Sequence, residues 1–262
     1  MKRLRAATCC FVIVAVMALA AAGCAATASN DAGPAGPVGD LVAYGRAIIV
    51  DTPGTMKANV TADMSCQACH VNAGRTARGG SFVGVYGQFP QWNQRAHRVI
   101  ALQDRVAECF LYSMNGRPPA YSSRQMEALV AYIAYLSRGT IVGATPDPAV
   151  RLARLQAPQK PDAAHGAGLY AQRCASCHGA DGGGVHGTFP PLWGPKSFND
   201  GAGMHRTGTM AAFVRYNMPK NAPGSLSPQD AYDVSAYVLK HARPHFDKRR
   251  IVTFPSQRAE YF

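Results

Sequence analysis

The stretch Cys66-Gln67-Ala68-Cys69-His70 decides how this chain folds, because it has the form of a covalent haem-attachment site. Each of the two thiols can add across one vinyl group of a porphyrin. The histidine beside the second thiol then reaches the iron as its proximal ligand. A redox-active cysteine pair or half of a zinc site also has two cysteines at this spacing, but neither requires a histidine directly after them.

The same pattern returns in the second half of the chain, at Cys174-Ala175-Ser176-Cys177-His178. A second copy of the complete pattern makes coincidence a poor explanation and indicates one haem in each half. We therefore predict two covalently bound haem c groups. Their predicted attachment and proximal-ligand residues are Cys66, Cys69 and His70 in the first half, and Cys174, Cys177 and His178 in the second.

The N-terminus has the features of an export signal. Lys2, Arg3 and Arg5 precede an apolar run over residues 11–22, which is too short to favour a permanent membrane-spanning helix. We predict that residues 1–24 form a signal peptide and that the mature protein is periplasmic.

The end of this leader leaves two possibilities open. Ala21-Ala22-Gly23-Cys24 resembles a bacterial lipobox, which would place a lipid anchor on Cys24, whereas ordinary cleavage after Ala28 is the alternative. The first predicts a lipid-anchored protein and the second a soluble one. Residues 25–39 are rich in Ala, Gly and Pro, and we predict that they form a flexible tether.

One cysteine of the chain belongs neither to the leader nor to a haem motif. Of the eight in the chain, Cys9, Cys10 and Cys24 lie in the leader and four belong to the haem motifs. Cys109 remains. In an oxidising compartment an unpaired cysteine calls for an explanation.

The formal charge of +12 limits the kinds of molecule that the protein is expected to bind. A basic surface attracts nucleic acid, anionic membranes or small anions. Export argues against nucleic acid, and the chain has no Lys/Arg run interleaved with aromatic residues. We therefore predict a small anionic substrate and a redox partner, either soluble or membrane-bound, such as a cytochrome c.

The helical pattern occurs twice and predicts an all-α fold of two domains, over residues 40–138 and 163–262, joined by a linker over residues 139–162. In the first domain, Asp40 is predicted to cap the opening helix, and Gly45 on that helix to allow close approach of a crossing helix. Further predicted features are a helical pattern from Gln91, a capping box at Ser122 and Gln125, a short helical turn within residues 150–155, a closing helix begun by Ser227-Pro228-Gln229-Asp230, and a tail after Pro244 that packs across the other domain.

A haem iron held by one histidine needs a second axial ligand or keeps an open site. In the second half, Met218 lies about forty residues after His178 and is the favoured ligand. A thioether stabilises ferrous iron, which suits an electron-transfer haem. Met210 and Met204 are the alternatives.

The first half offers two sulfur ligands, Met114 and Cys109. A thiolate lowers the potential of an iron centre and is also a nucleophile. On a helix, Arg105, Cys109 and Ser113 share one face, which sets a guanidinium and a hydroxyl beside the thiolate. Arg95 is expected to reach the same pocket. Periodicity alone leaves both ligands open, with Cys109 a small core residue if Met114 ligates.

Each half resembles a class I cytochrome c domain. In the second half the resemblance rests on residues 174–182 and on Phe189-Pro190-Pro191-Leu192-Trp193-Gly194. In that family the carbonyl of a proline in this loop orients the proximal histidine. The resemblance therefore implies Pro190 or Pro191 for this role in the second half, and Pro90 in the first.

A wider region is similar to the dihaem thiosulfate dehydrogenases of the bacterial periplasm, from about residue 40 to about residue 245. The similarity is carried by Phe89-Pro90-Gln91-Trp92-Asn93, by residues 98–105, and by Cys109 with Ser113-Met114-Asn115-Gly116. It implies that the first haem is the active site, with axial ligands His70 and Cys109, and that the second haem passes electrons out through His178 and Met218. Its implied substrate-site residues are Arg95, Arg105 and Ser113.

The resemblance implies that two thiosulfates are coupled to tetrathionate, or the reverse. In some members of that family a lysine precedes the ligand methionine and can bind the oxidised iron, but here Asn217 holds this position. A dihaem electron-transfer protein of the cytochrome c4 type, with no substrate of its own, is the alternative. It predicts Met114 as the ligand of the first iron. A subunit like the thiolate-haem cytochrome of the Sox system ranks lower, since this chain supplies two haem domains itself.

Overall fold

The structure, a computed structural model, describes residues 33–145 and 147–247. The predicted leader, its lipobox and the first part of the predicted tether lie outside these residues. The helices of the first half are α1 (Gly36–Val50), α2 (Thr52–Thr55), α3 (Val71–Gly74), α4 (Leu102–Tyr112) and α5 (Arg124–Leu136). Short 3-10 turns occupy Cys66–Ala68 and Tyr86–Gln88, and an antiparallel hairpin joins β1 (Gln91–Asn93) to β2 (Arg98–Ile100).

The second half repeats this order without the hairpin. Its helices are α6 (Ala163–Arg173), α7 (Ala175–His178), α8 (Thr207–Asn217) and α9 (Pro228–Leu239), with a 3-10 turn at Gly203–His205. The predicted helical fold is confirmed, and the hairpin is the one sheet within the described residues. None of the helices that the structure describes has both the length and the apolar character needed to cross a bilayer.

Each half is held together by two helices that cross at a glycine. A Cβ atom at Gly45 of α1 would lie 2.0 Å from the carbonyl oxygen of Ala128 in α5. A Cβ atom at Gly166 of α6 would lie equally close to the carbonyl oxygen of Asp233 in α9. Only glycine permits backbones to approach this closely, so the close approach predicted at Gly45 is confirmed and recurs in the second half.

We expect Gly166→Ala and Gly168→Ala, two substitutions in the same helix, to change stability in opposite directions. A Cβ atom at Gly168 has no neighbour within 4 Å, so alanine should stabilise α6 by up to about 1 kcal/mol. At Gly166 the backbones must separate, which should cost about 1–3 kcal/mol. Urea denaturation of the holoprotein, followed by circular dichroism, measures both. Equal effects of the two substitutions would contradict the crossing geometry.

The helix α1 begins earlier than the sequence predicts. Its first residue is Gly36 and its N-cap is Ala35, so Asp40 lies within the helix and does not cap it. Pro37 in the first turn explains the difference, because its fixed φ suits this turn and its missing N–H has no helical partner to lose. Residues 36–39 of the predicted tether are therefore helical.

The prediction that the chain becomes helical from Gln91 is wrong for its first eleven residues. The side-chain oxygen of Asn93 accepts hydrogen bonds from the backbone N–H groups of Arg95 and Ala96, both at 2.9 Å, which turns the chain back on itself. Trp92 and Val99 then face each other across the hairpin, and both are exposed. Helix α4 follows only from Leu102.

Two predicted helix starts have different outcomes. The closing helix predicted to begin at Ser227-Pro228-Gln229-Asp230 is confirmed, and the structure adds a capping box there: the Ser227 hydroxyl accepts from Asp230 N at 3.0 Å, and the Asp230 carboxylate accepts from Ser227 N at 3.2 Å. The box predicted at Ser122 and Gln125 is wrong, because Ser123 is the N-cap of α5 and accepts from Met126 N.

The described residues of the predicted linker, 139–145 and 147–162, contain no helix, so the turn predicted within residues 150–155 is wrong. The backbone of Leu155 bonds to the second half instead: its N–H donates to the carbonyl of Gly208 at 3.3 Å, and its carbonyl accepts from the Tyr232 hydroxyl. The described end of the tail packs across the other half as predicted, with the Phe246 ring edge-on to Tyr112 at 4.8 Å.

Candidate active site

The first haem motif is held in place by Thr52, which is fully buried just after α1. Its hydroxyl donates to the carbonyl of Ile48 at 2.8 Å and accepts from the backbone N–H of Cys66 at 3.0 Å. The side-chain amide of Gln67 donates to the carbonyl of Val50 at 2.8 Å. These bonds attach the start of the haem motif, the 3-10 turn at Cys66–Ala68, to the C-terminal end of α1 and to Thr52.

The imidazole of His70 is oriented by a backbone carbonyl. Its Nδ1–H donates to the carbonyl of Gly80 at 2.5 Å, and its ring stacks on Phe82 at 4.2 Å. Burial lowers the pKa of His70 to about 4, against the effect of this hydrogen bond, so the ring is neutral. The Nε2 lone pair is therefore free to bind a metal, and the hydrogen bond increases the basicity of the ligand.

The expectation that Pro90 orients His70 is wrong, because Gly80 supplies the carbonyl. A Cβ atom at Gly80 would lie 2.4 Å from the carbonyl oxygen of Cys69, and φ at Gly80 is +64°. Only glycine tolerates both conditions. The sequence signal that was missed is the glycine pair at positions 79 and 80.

A cavity of about 460 Å³ lies beside this motif and is lined by Cys66, Cys69 and His70. Arg105, Cys109 and Ser113 line the same cavity, the first two from α4 and the third from the residue that follows it. The structure therefore brings together the helix face that the sequence predicts. Met114 lines the cavity as well. Two thiols, a neutral imidazole and a further sulfur around one space fit a covalently bound haem.

Arg105 places a positive charge at this cavity. One of its terminal nitrogens donates to the Glu108 carboxylate at 3.0 Å, which positions the guanidinium at the cavity. Its interaction with Cys109, and next to that with Glu108, raises the pKa of Arg105 against the effect of burial. The guanidinium is therefore charged and within electrostatic range of the Cys109 sulfur.

Arg95 is not among the residues that line this cavity. Its guanidinium donates to the carbonyl of Gly201 in the second half at 3.0 Å and lies 4.2 Å from the centre of the Tyr112 ring. The predicted convergence of Arg95 on the pocket is thus not what the structure shows. The cause is the hairpin turn that Asn93 forms, which directs the chain at Arg95 towards the second half.

The second half contributes positive charge near the same place. Burial, and after it the neighbouring guanidinium groups of Arg95, Arg154 and Arg105, lowers the pKa of Arg206. Arg206 precedes α8, and Arg154 belongs to the segment between the two halves. Arg206 therefore lies within electrostatic range of three other guanidinium groups, and a bound anion would offset their repulsion of Arg206. The sequence did not reveal this group, because its members come from four separate segments.

In the second haem motif, too, a backbone carbonyl orients the histidine. The Nδ1–H of His178 donates to the carbonyl of Pro190 at 2.9 Å, which settles the choice between Pro190 and Pro191. Burial lowers the pKa of His178, so this imidazole too is neutral and can bind a metal through Nε2. Cys174, Cys177 and His178 line a cavity of about 1700 Å³, and this donor set also fits a covalently bound haem.

Three methionines of the second half line the second cavity: Met204, Met210 and Met218. Met210 is buried in the first turns of α8, whereas Met218 follows the last residue of α8 with an extended backbone. The structure therefore keeps all three thioethers near the site, and Met218 as the ligand stays a prediction.

The two cavities meet at the first haem motif. Met64, Ser65 and Cys69 line both of them. A thioether at Cys69 would therefore lie between the two haem sites.

Comparisons with known proteins give the domain types. Residues 56–142 match the family model described as the SoxA/TsdA cytochrome c domain, and residues 163–242 match the model described as cytochrome c. The predictions of two cytochrome c domains and of two covalently bound haem c groups are thereby confirmed.

Relatives along most of the chain are described as thiosulfate dehydrogenases. One from Allochromatium vinosum is 41% identical over 80% of this chain and 81% of its own length. One from Stutzerimonas stutzeri is 43% identical over 79% of this chain and 68% of its own length. The solved structure of thiosulfate dehydrogenase TsdBA from Marichromatium purpuratum, in its as-isolated form, has a TM-score of 0.76 and 39% identity. The match covers 82% of this chain and about half, 49%, of that longer chain.

Proposed function

The chain belongs to the thiosulfate dehydrogenase family, and from that premise we propose that it couples two thiosulfates to tetrathionate at its first haem site. The main support for this proposal is that Arg105, Cys109 and Ser113 line the same cavity as the haem motif that ends at His70. A cation, a sulfur nucleophile and a hydroxyl in one place are what a dianionic sulfur substrate needs.

We propose that Cys66, Cys69 and His70 would hold the first haem, with Cys109 as a further ligand of its iron. Cys174, Cys177 and His178 would hold the second haem, with Met218 as a further ligand of its iron. The two haems supply two one-electron acceptors, which matches the two electrons released when one S–S bond forms from two thiosulfates.

Arg105 and Ser113 would bind the substrate directly. The free N–H donors of the Arg105 guanidinium pair with sulfonate oxygens, while Glu108 holds the group in place. The Ser113 hydroxyl adds a hydrogen bond. Arg95 and Arg206 would act at longer range, because their positive charge raises the local concentration of the anion.

The sulfur chemistry would proceed in two steps on Cys109. The thiolate first forms an S–S bond with the terminal sulfur of one thiosulfate, and two electrons leave, which gives a cysteine S-thiosulfonate. The second thiosulfate then attacks that sulfur. Its new S–S bond produces tetrathionate, and the bond to Cys109 breaks with the thiolate as leaving group, as in thiol–disulfide exchange. The same steps reversed would reduce tetrathionate.

Electrons would leave through the second half of the molecule. The atoms of Cys69, which line both cavities, provide the route from the first site to the second. A redox protein such as a cytochrome c would then collect them. We also propose that the chain is exported to the periplasm and is either soluble there or anchored by a lipid on Cys24, which is consistent with its leader sequence.

The direct test is an assay of purified holoprotein with thiosulfate and ferricyanide. We expect tetrathionate to form with two ferricyanide ions reduced for each tetrathionate. A parallel assay with tetrathionate and a low-potential electron donor tests the reverse direction. If both haems are attached and no tetrathionate forms, the proposal is wrong and the protein is an electron carrier without a substrate of its own.

A further inference from the structure

Asn217, the last residue of α8, connects the two halves through its side chain. It is buried, with 7% of its surface exposed. Its side-chain amide donates to the carbonyl of Arg78 in the first half at 2.9 Å and to the carbonyl of Phe213 in its own helix at 3.0 Å. Both amide hydrogens are therefore used, one within its helix and one across the domain boundary.

The acceptor belongs to the loop that orients the first proximal histidine. Arg78 is two residues before Gly80, whose carbonyl accepts the Nδ1–H of His70. The carbonyl between them, that of Gly79, accepts from the backbone N–H of Val71 at 2.8 Å. Residues 78–80 therefore touch Asn217 at one end and both His70 and its neighbour at the other.

The fit between Asn217 and this loop is tight. A Cβ atom at Gly79 would lie 2.9 Å from the side-chain oxygen of Asn217, so the loop packs against the amide as well as bonding to it. The Arg78 guanidinium lies 4.7 Å from the centre of the ring of Tyr216, the residue before Asn217. The end of α8 and the loop are therefore packed together by two separate contacts.

We propose that Asn217 is a positioning residue that couples the two haem sites, because it ties the start of the segment at Met218 to the loop carrying the carbonyl that orients His70. Its role concerns the geometry of both sites and needs no thiosulfate. The inference is therefore independent of the proposed reaction.

The coupling has a predictable sign. Without the amide donor, the Arg78 carbonyl loses its partner, the loop loosens, and the hydrogen bond from His70 to Gly80 weakens. A weaker bond makes the imidazole a poorer electron donor, which disfavours ferric iron. The reduction potential of the first haem should therefore rise, although the substitution is in the other domain.

Asn217→Leu tests this inference, because leucine is similar in size and has no donor. We expect a positive shift in the potential of the first haem, measured by spectroelectrochemistry of the holoprotein. We also expect roughly five- to tenfold faster amide hydrogen exchange in residues 71–82, the range for the loss of one hydrogen bond. Asn217→Ser is a second variant, whose hydroxyl can still bond to the carbonyl of Phe213 but does not reach Arg78.

His186→Ala is the matched control. The His186 ring bonds to the Asp63 carboxylate across the same boundary at 2.6 Å, but its side chain is 82% exposed and its partner lies outside residues 78–80. This variant should leave the first-haem potential and the exchange of residues 71–82 unchanged. If Asn217→Leu and Asn217→Ser both leave these two quantities unchanged, or if His186→Ala changes them equally, Asn217 does not couple the sites.

Discussion

Cys109→Ser should abolish thiosulfate oxidation while both haems remain attached. Serine keeps the size of the residue but removes the thiolate, and attachment depends only on Cys66, Cys69, Cys174 and Cys177. We expect turnover to fall roughly 10³-fold or more, as for the loss of a covalent nucleophile. The electron paramagnetic resonance spectrum of the oxidised protein should lose the low-spin thiolate signal of the first haem and keep the separate low-spin signal of the second haem.

Met114→Leu is the control for this variant, because Met114 lines the same cavity and is the rival sulfur ligand. Leucine has nearly the same volume and cannot bind iron. If Cys109 is the ligand, this variant should keep its activity and its thiolate signal. An active Cys109→Ser protein, or loss of the first-haem ligand signal in Met114→Leu alone, would favour the electron-transfer alternative that the sequence left open.

Met218→Ala should separate the chemistry at the first haem from electron exit. A thioether ligand raises the potential of a haem, so its removal should lower the potential of the second haem. Electrons would then stall at the first site. We expect steady-state turnover with a protein electron acceptor to fall at least about tenfold. Reduction of the first haem by thiosulfate in stopped-flow absorbance should continue at its normal rate.

Met204→Leu and Met210→Leu are the matched controls, because both methionines line the same cavity as Met218. Each should leave the potential and the axial-ligand spectrum of the second haem unchanged. If Met210→Leu lowers that potential and Met218→Ala does not, the ligand assignment moves to Met210 and the proposed exit through the second haem stays.

Local patterns in the sequence predicted the parts of this protein that depend on near neighbours. The two haem motifs, the helix start at Ser227 and the helix face of Arg105 and Cys109 all join residues a few positions apart, and the structure contains each of them. The close helix approach at Gly45 was also predictable, because glycine destabilises a helix interior and its presence in an amphipathic helix usually has a packing reason.

The wrong predictions arose where a competing local signal was overlooked. Pro37 starts α1 before Asp40, because proline suits the first helical turn. Asn93 forms a turn with its own backbone, so the apolar residues that follow belong to a strand before they belong to a helix. Both signals were present in the sequence, and both outweighed the helical periodicity around them.

The sequence by itself determined what this protein holds covalently and which reactive sulfur remains, because haem attachment needs only five adjacent residues and Cys109 is the cysteine left over. Only the tertiary structure decided which groups surround each haem site. Gly80 rather than Pro90 orients His70, Arg95 bonds to Gly201 outside the cavity, and Asn217 reaches a carbonyl 139 residues away. Such contacts depend on how the two halves pack, and no local spacing encodes that.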